Sequence, residues 1–393
     1  MSMTAEAPAA RRTGAKPQLP FDAAKLARLL AAAGIDALVV CSKHNIQYLL
    51  GGYKFFFFAY MDAMGPSRYL PMLVYRKGRP DQAAYFAYPL EKYEKELDRF
   101  WPPRVETKTR GSVDAARIAA EHLKSLGGVK RVAVERTFLP ADAEQALRAD
   151  APGIELVEAW SVLDRLRAVK TPEELKQICD ASTGVVESMQ AVMASHAPGA
   201  TTRELAEALR REEVSRGLVF DYCLITAGTS VNRAPSDQVW GKGDILSLDS
   251  GGNLNGYIGD LCRMAIHGDP DQELIDLLGE VDAIQQAART PIRAGATGAQ
   301  VYESARPLVQ RSPYANSIEF VAHGMGLVAH ESPRLTYARE DMDQPLEAGM
   351  VLSIETTMHH PARGFVKLED TVAVTAIGWE AYGDQARGWN RGG

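Results

Sequence analysis

The sequence predicts two successive units: an alternating α/β unit, then a larger α+β unit assembled from two similar halves. Three observations carry that expectation. Short apolar runs alternate with amphipathic stretches between residues 21 and 160, the pattern of an α/β layer. A faint repeat follows, in which Pro198-Gly199-Ala200-Thr201-Thr202-Arg203-Glu204-Leu205 is matched 96 residues later by Ala294-Gly295-Ala296-Thr297-Gly298-Ala299-Gln300-Val301. Each copy lies between a long helical stretch and a second helix, and each precedes strand-rich sequence. Finally, those strand-rich segments read as hairpins that carry carboxylates inside apolar runs.

The elements follow in order. Residues 1–20 are rich in Ala, Pro and Arg, contain no apolar segment of the kind a secretory signal needs, and read as a flexible tail. Phe21, Leu26, Leu29 and Leu30 have helical spacing, and Gly34 suits the stop. Strands are expected at 35–41, 70–75, 84–88, 131–135 and 154–159, and helices at 112–125 and 141–149. The aromatic run Lys54 to Tyr60 is a candidate substrate wall or packing surface. Thr171-Pro172-Glu173-Glu174 opens a long helix to about residue 195, with a Thr N-cap, Pro in the first turn and Glu three positions on. Thr201 and Glu204 repeat the capping spacing. The expected domains are 21–160 and 161–393, in keeping with a length of 393 residues at roughly 150 per domain.

Composition excludes several classes. No window approaches the ~18 consecutive apolar residues of a membrane-spanning helix. A net charge of −6, with no basic stripe, argues against nucleic acid as a partner. The four cysteines, Cys41, Cys179, Cys223 and Cys262, are scattered without metal-site or disulfide-scaffold spacing, which points to a reducing, cytoplasmic setting.

The chemistry lies in the acidic residues. Residues 244–266 read as a hairpin, and a turn centred between Leu254 and Asn255 puts Asp249 across from Asp260, with Cβ atoms about 5 Å apart. Directly opposed like charges destabilise a sheet, so a cation is expected between them. In the second half, Glu355 ends one strand and Glu369 lies inside the next, each amid Val, Leu and Ile, where an unpaired carboxylate costs several kcal/mol. Between the two pairs, His323 and His330 flank a stretch whose Gly324 and Gly326 let the backbone approach a ligand. Four carboxylates and one imidazole can neutralise two divalent cations, and this oxygen-rich set suits Mn²⁺, Fe²⁺, Co²⁺ or Zn²⁺. Such a pair activates water and polarises a carbonyl.

These segments resemble the creatinase, aminopeptidase P and prolidase family, with its "pita-bread" fold. The family pattern D-x-G-x-x-x-x-G-Y-x-x-D-x-x-R stands here as DSGGNLNGYIGDLCR, H-G-x-G-L-x-x-H-E as HGMGLVAHE, and the last acidic pair as IETTMHHPARGFVKLED. The segments 34–40 and 45–53 resemble the creatinase-type N-terminal domain. The resemblance implies a pita-bread catalytic domain with a pseudo-two-fold repeat behind an α/β N-terminal domain. It also implies two divalent ions, manganese foremost, held by Asp249, Asp260, His323, Glu355 and Glu369. Glu355 is implied as the acid/base partner of the attacking water, His330 as a hydrogen-bond donor to the substrate carbonyl, and the assembly as a homodimer.

Two departures from the pattern bear on the substrate. Asn232 stands where the family has a His before x-x-P-x-D, and Asn cannot titrate. Lys367 replaces an Arg common in the peptidases and lacks its bidentate fork. With Tyr222, these two are candidate substrate contacts; His44 is a weaker one. Cys262, two residues beyond Asp260, shares its strand face, and His359 and His360 fall near the cleft rim. The activity expected is hydrolysis of an amide bond in a short peptide, as in an Xaa-Pro peptidase of the aminopeptidase P or prolidase type. Small-molecule hydrolases or lyases of the same fold (ectoine hydrolase, creatinase, dimethylsulfoniopropionate lyase) form one alternative. A catalytically idle peptide-binding module is another.

Overall fold

The structure, a computed structural model, describes residues 19–55, 69–335 and 342–393. Nearly all of the expected N-terminal tail, and Phe56 to Tyr60 of the aromatic run, lie outside the described residues. The chain divides into two compact units between Leu163 and Asp164.

In the first unit the elements run α1 (Ala23–Ala32), β1 (Ala37–Val40), α2 (Lys43–Leu49), β2 (Met72–Arg76), β3 (Arg79–Phe86), α3 (Lys92–Glu96), β4 (Arg104–Glu106), α4 (Ser112–Leu126), β5 (Arg131–Val134), α5 (Ala141–Asp150) and β6 (Glu155–Glu158). The strands form one mixed sheet in the order β4-β3-β2-β1-β5-β6. Small residues on α4 (Ala115, Ala116, Ala119, Ala120) pack on Val39, Val74 and Val132, giving the α/β layer that the alternation predicts. The α2 helix went unpredicted because its start is tied down from afar. The buried Glu135 carboxylate accepts from Ser42 N at 2.8 Å and from Ser42 Oγ at 2.5 Å, while Ser42 caps the helix.

Helix α6 (Trp160–Arg167) spans the division. The second unit then runs α7 (Pro172–Ser195), α8 (Thr202–Ser215), β7 (Val219–Ala227), β8 (Ile245–Leu254), β9 (Tyr257–Ile266), α9 (Gln272–Arg289), α10 (Gly298–Arg311), β10 (Ile318–Gly324), β11 (Val351–His360), β12 (Gly364–Val374), β13 (Trp379–Tyr382) and β14 (Asn390–Arg391). Two helices followed by three strands occur twice. The sheet order β10-β11-β12-β9-β8-β7 reads the same from both ends, so a pseudo-two-fold axis passes between β12 and β9. The repeated Gly-Ala segments are equivalent in detail. Thr201 with Glu204 and Thr297 with Gln300 each form a capping box, and each Thr makes an isolated bridge, to Val239 and Pro345 respectively. One face of the sheet packs on the helices: Leu246, Leu248 and Leu261 meet Val185 and Met189 of α7, and Leu352, Ile354 and Val372 meet Ile284 and Ala288 of α9.

The β8–β9 register differs from the expectation. Asn255 and Gly256, both at positive φ, form the two-residue turn, so Asp249 pairs with Cys262 and Asp260 with Gly251. A turn centred one residue later moves each pairing by two positions. Asp249 and Asp260 keep the same face but become diagonal neighbours.

Helix α7 crosses β9 at Gly259, where a Cβ would stand 2.5 Å from Ser182 N and 2.6 Å from its Cα. Neither backbone can yield cheaply. Gly259→Ala is therefore expected to destabilise the second unit by about 1–3 kcal/mol, lowering its thermal midpoint by roughly 3–10 °C, as calorimetry would register.

Candidate metal centre

Strand pairing places the acidic residues in a row. Asp249 of β8 pairs with Cys262 of β9, Cys262 with Glu369 of β12, Glu369 with Glu355 of β11, and Glu355 with Val321 of β10. Side chains alternate faces with period two, so Asp260, His323 and Lys367, each two residues from a member of the row, share its face. That face is opposite the one covered by the helices. Strand directions then sort the flanking residues: Asp260 and His323 fall on one side of the row, Lys367 on the other.

On the first side, ligand atoms of Asp260, His323 and Glu369 all lie within 4.8 Å of one another, a spacing from which one divalent cation could gather them. Each is held by a neighbour. Tyr222 donates its hydroxyl hydrogen to Asp260 Oδ1, and Ser353 Oγ donates to Glu369 Oε1 at 2.8 Å. His323 Nδ1 faces Gly324 O at 3.2 Å, which leaves Nε2 toward the cluster, 4.0 Å from Glu355 Oε1. The three donors and their supports fit a divalent ion.

On the other side, Lys367 Nζ stands 2.6 Å from Asp249 Oδ2, 2.6 Å from Glu355 Oε2 and 2.7 Å from Glu369 Oε2. Arg233 also binds Asp249 Oδ2, and its guanidinium lies over the Phe365 ring, 5.1 Å from the centroid. Burial pushes the Asp260 carboxyl well above the usual carboxylate range, with Glu369 and Asp249 adding to the effect. Asp249 is also raised by burial, although Lys367 opposes it. Burial pulls on the Lys367 ammonium in the opposite sense, but Asp249, Glu369 and Glu355 outweigh it and hold the group well above its ordinary value.

The other candidates fall as follows. His330 stacks on His323 with ring centroids 3.8 Å apart; burial of its inner side, together with His323, pushes it down to about 4. Tyr222 holds a carboxylate of the cluster, and it fits because Gly251 has no Cβ to meet its ring. Asn232, exposed, closes a turn on itself, accepting from Ala234 N at 3.2 Å. Lys367 is engaged entirely with carboxylates, and its side chain is only 3% exposed. Cys262 is buried inside the row, its Sγ 3.3 Å from Ser247 Oγ. His360 is buried and accepts from Arg363 N at 3.0 Å, fastening a turn, and His359 meets Phe365 edge to face. In the first unit, His44 meets Phe138 edge to face. Gly324 and Gly326 differ from their expected use. A Cβ on Gly324 would meet the Ser332–Pro333 backbone, and one on Gly326 the Glu331 carboxylate, so these glycines seat a loop and do not face a ligand.

Sequence reasoning missed Arg233, Ser353 and Glu331. Period-two counting back from Glu355 could have found Ser353, and the motif containing His330 ends in Glu331. Nothing in the sequence singles out Arg233 beyond its place beside Asn232.

The chain is similar to known proteins over most of its length. Residues 173–376 match the model of metallopeptidase family M24, and residues 23–169 match the creatinase/prolidase N-terminal domain. An uncharacterized peptidase, YqhT, of Bacillus subtilis is 25% identical over 365 residues, covering 90% of this chain and 95% of the relative. The Xaa-Pro dipeptidase of Pyrococcus horikoshii is 25% identical over 366 residues, with coverage of 90% and 94%. Among solved structures, an Xaa-Pro dipeptidase from Bacillus anthracis superposes with a TM-score of 0.78 at 22% identity, over 92% of this chain and 97% of that one.

The loop bearing His330 is anchored by the next residue. Buried Glu331 lies 2.9 Å from Lys170 Nζ and 3.1 Å from Arg167 Nη2. Burial works to raise its carboxyl, but Lys170 and Arg167 win and hold it below the usual value. The stability this supplies is complete above the unfolded value of about 4.3 and is lost as pH falls through the lower folded value. Glu331→Gln is expected to cost about 3–5 kcal/mol at neutral pH and to flatten the acid limb of the stability curve, measured by denaturant unfolding across pH.

Proposed function

Since this chain belongs to metallopeptidase family M24 and is a metallohydrolase, we propose that it cleaves the amide bond before proline in short peptides, as an Xaa-Pro peptidase of the aminopeptidase P or prolidase type. The observation that carries the reading is the convergence of Asp249, Asp260, His323, Glu355 and Glu369, from both halves of the repeat, on the sheet face opposite the helices. Residues 161–393 form the catalytic domain in this reading and 21–160 the N-terminal domain. The enzyme works in the cytoplasm as a homodimer, with manganese as its metal.

A divalent ion at Asp260, His323 and Glu369 supplies Lewis acidity and lowers the pKa of water. The chain's own groups do the rest. Glu355, with a side chain 19% exposed, is the most open carboxylate of the row. Its Oε2 is taken by Lys367, so Oε1 is the oxygen that accepts a proton from the attacking water and passes it to the departing nitrogen. His330, neutral above pH about 4, donates a hydrogen bond to the carbonyl oxygen as negative charge builds there. Tyr222 and Ser353 keep Asp260 and Glu369 aimed.

One observation favours small amides over peptides: Asn232 is turned on its own backbone and offers no titratable group. A screen of Xaa-Pro dipeptides, longer Xaa-Pro peptides and cyclic amides, with Mn²⁺ and with a chelator, separates the readings. Manganese-dependent cleavage of Xaa-Pro bonds is expected. Turnover of cyclic amides without peptide cleavage would sink the peptidase reading. His330→Ala should lower kcat by about 10²–10³ while leaving KM nearly unchanged.

A further inference from the structure

The cation expected beside Asp249 is already part of the chain. Lys367 lies on β12 between Val366 and Leu368, fully inside the sheet. A buried ammonium needs partners for three N–H donors, and it has three carboxylate oxygens at 2.6, 2.6 and 2.7 Å. Those oxygens belong to Asp249, Glu355 and Glu369, three of the five groups expected to hold a pair of divalent ions.

The charge count agrees. Asp249, Asp260, Glu355 and Glu369 bring four negative charges, and Lys367 and Arg233 return two of them. Two charges remain, which one divalent ion neutralises. A second ion at Asp249 and Glu369 would meet the ammonium at the same oxygens. Displacing that ammonium would strand a charge whose side chain is only 3% exposed. An Arg at this position would spread its charge over a planar fork; the lysine concentrates it at one point, as a metal ion does.

We propose that Lys367 is a built-in monovalent cation that occupies the second cation position. The chain accordingly binds a single divalent ion, at Asp260, His323 and Glu369, where the sequence pattern implies two. This deepens the reading of the site as a metallohydrolase centre and rests on it.

The test is metal stoichiometry on the full chain. Protein equilibrated with excess Mn²⁺ and desalted is analysed for manganese by mass spectrometry, and by EPR for isolated or exchange-coupled ions. The expected result is one ion per chain with an isolated-ion spectrum. Lys367→Met should raise the content to two and introduce coupling, and Lys367→Arg, which spreads the charge from a point to a fork, should do the same. Two ions in the wild type, or one in folded Lys367→Met, would overturn the proposal. Should Lys367→Met fail to fold, the wild type and Lys367→Arg still decide, since a coupled pair in the wild type or a single ion in Lys367→Arg overturns it. The outcome is independent of the substrate: one bound ion without Xaa-Pro cleavage would count against the peptidase reading alone, and cleavage with two bound ions against this inference alone.

Discussion

Four carboxylates on the sheet face opposite the helices, three of them almost fully buried, are the constraint around which the second unit is organised. Each would be expensive alone, because burial disfavours the charged form and every neighbour repels it. Burial raises the Asp260 carboxyl, and Glu369 and Asp249 add to the effect. The surroundings are arranged to relieve it: a hydroxyl from Tyr222, a hydroxyl from Ser353, an ammonium from Lys367 and a guanidinium from Arg233. Seen this way, the site is a problem of charge compensation that the fold solves in part and leaves open at one place, beside His323.

The same unit solves two similar problems completely. Asp370, next to Glu369 but facing the other way, is buried against Arg263 at 3.0 Å and Arg289 at 2.7 Å, with Arg387 as a third partner. These arginines also tie the chain together, since Arg263 donates to Glu369 O, Gly383 O and Gln385 O. Glu331 is matched by Arg167 and Lys170. In both places positive groups hold the carboxyl below its ordinary value despite burial. Adjacent residues of β12 thus have opposite fates: Asp370 is fastened by fixed partners, while Glu369 is left able to share an incoming ion.

Much of this was legible in the sequence, and the misses have physical causes. Period-two alternation is robust, so Asp249, Asp260, Glu355 and Glu369 were expected on one face, and they share it. Pairing depends on the turn, and Asn255-Gly256 sets a register two positions from the one inferred by symmetry about Leu254 and Asn255. In sequence Gly324 and Gly326 suggest room for a ligand, and in the fold they make room for the loop that follows. Partners brought from distant sequence could not be read at all. The Glu135 tie to α2 and the reach of Arg233 to Asp249 exist only once the chain is folded. At Lys367 the departure from arginine is legible, but its reach to Asp249 on β8, Glu355 on β11 and Glu369 on its own strand exists only in the folded sheet.

The axis between β12 and β9 also governs when the centre can exist. Lys367 and Asp249, in contact across it, are 118 residues apart in the chain, so loop-closure entropy delays their meeting until most of the sheet has assembled. A nascent polypeptide halted before β12 already carries Arg233, Asp249, Asp260, His323 and Glu355 but lacks Lys367 and Glu369. An ion held by Asp260, His323 and Glu369 would therefore find its full donor set only after β12 is made. Binding only the assembled sheet, such an ion would stabilise the folded unit by mass action.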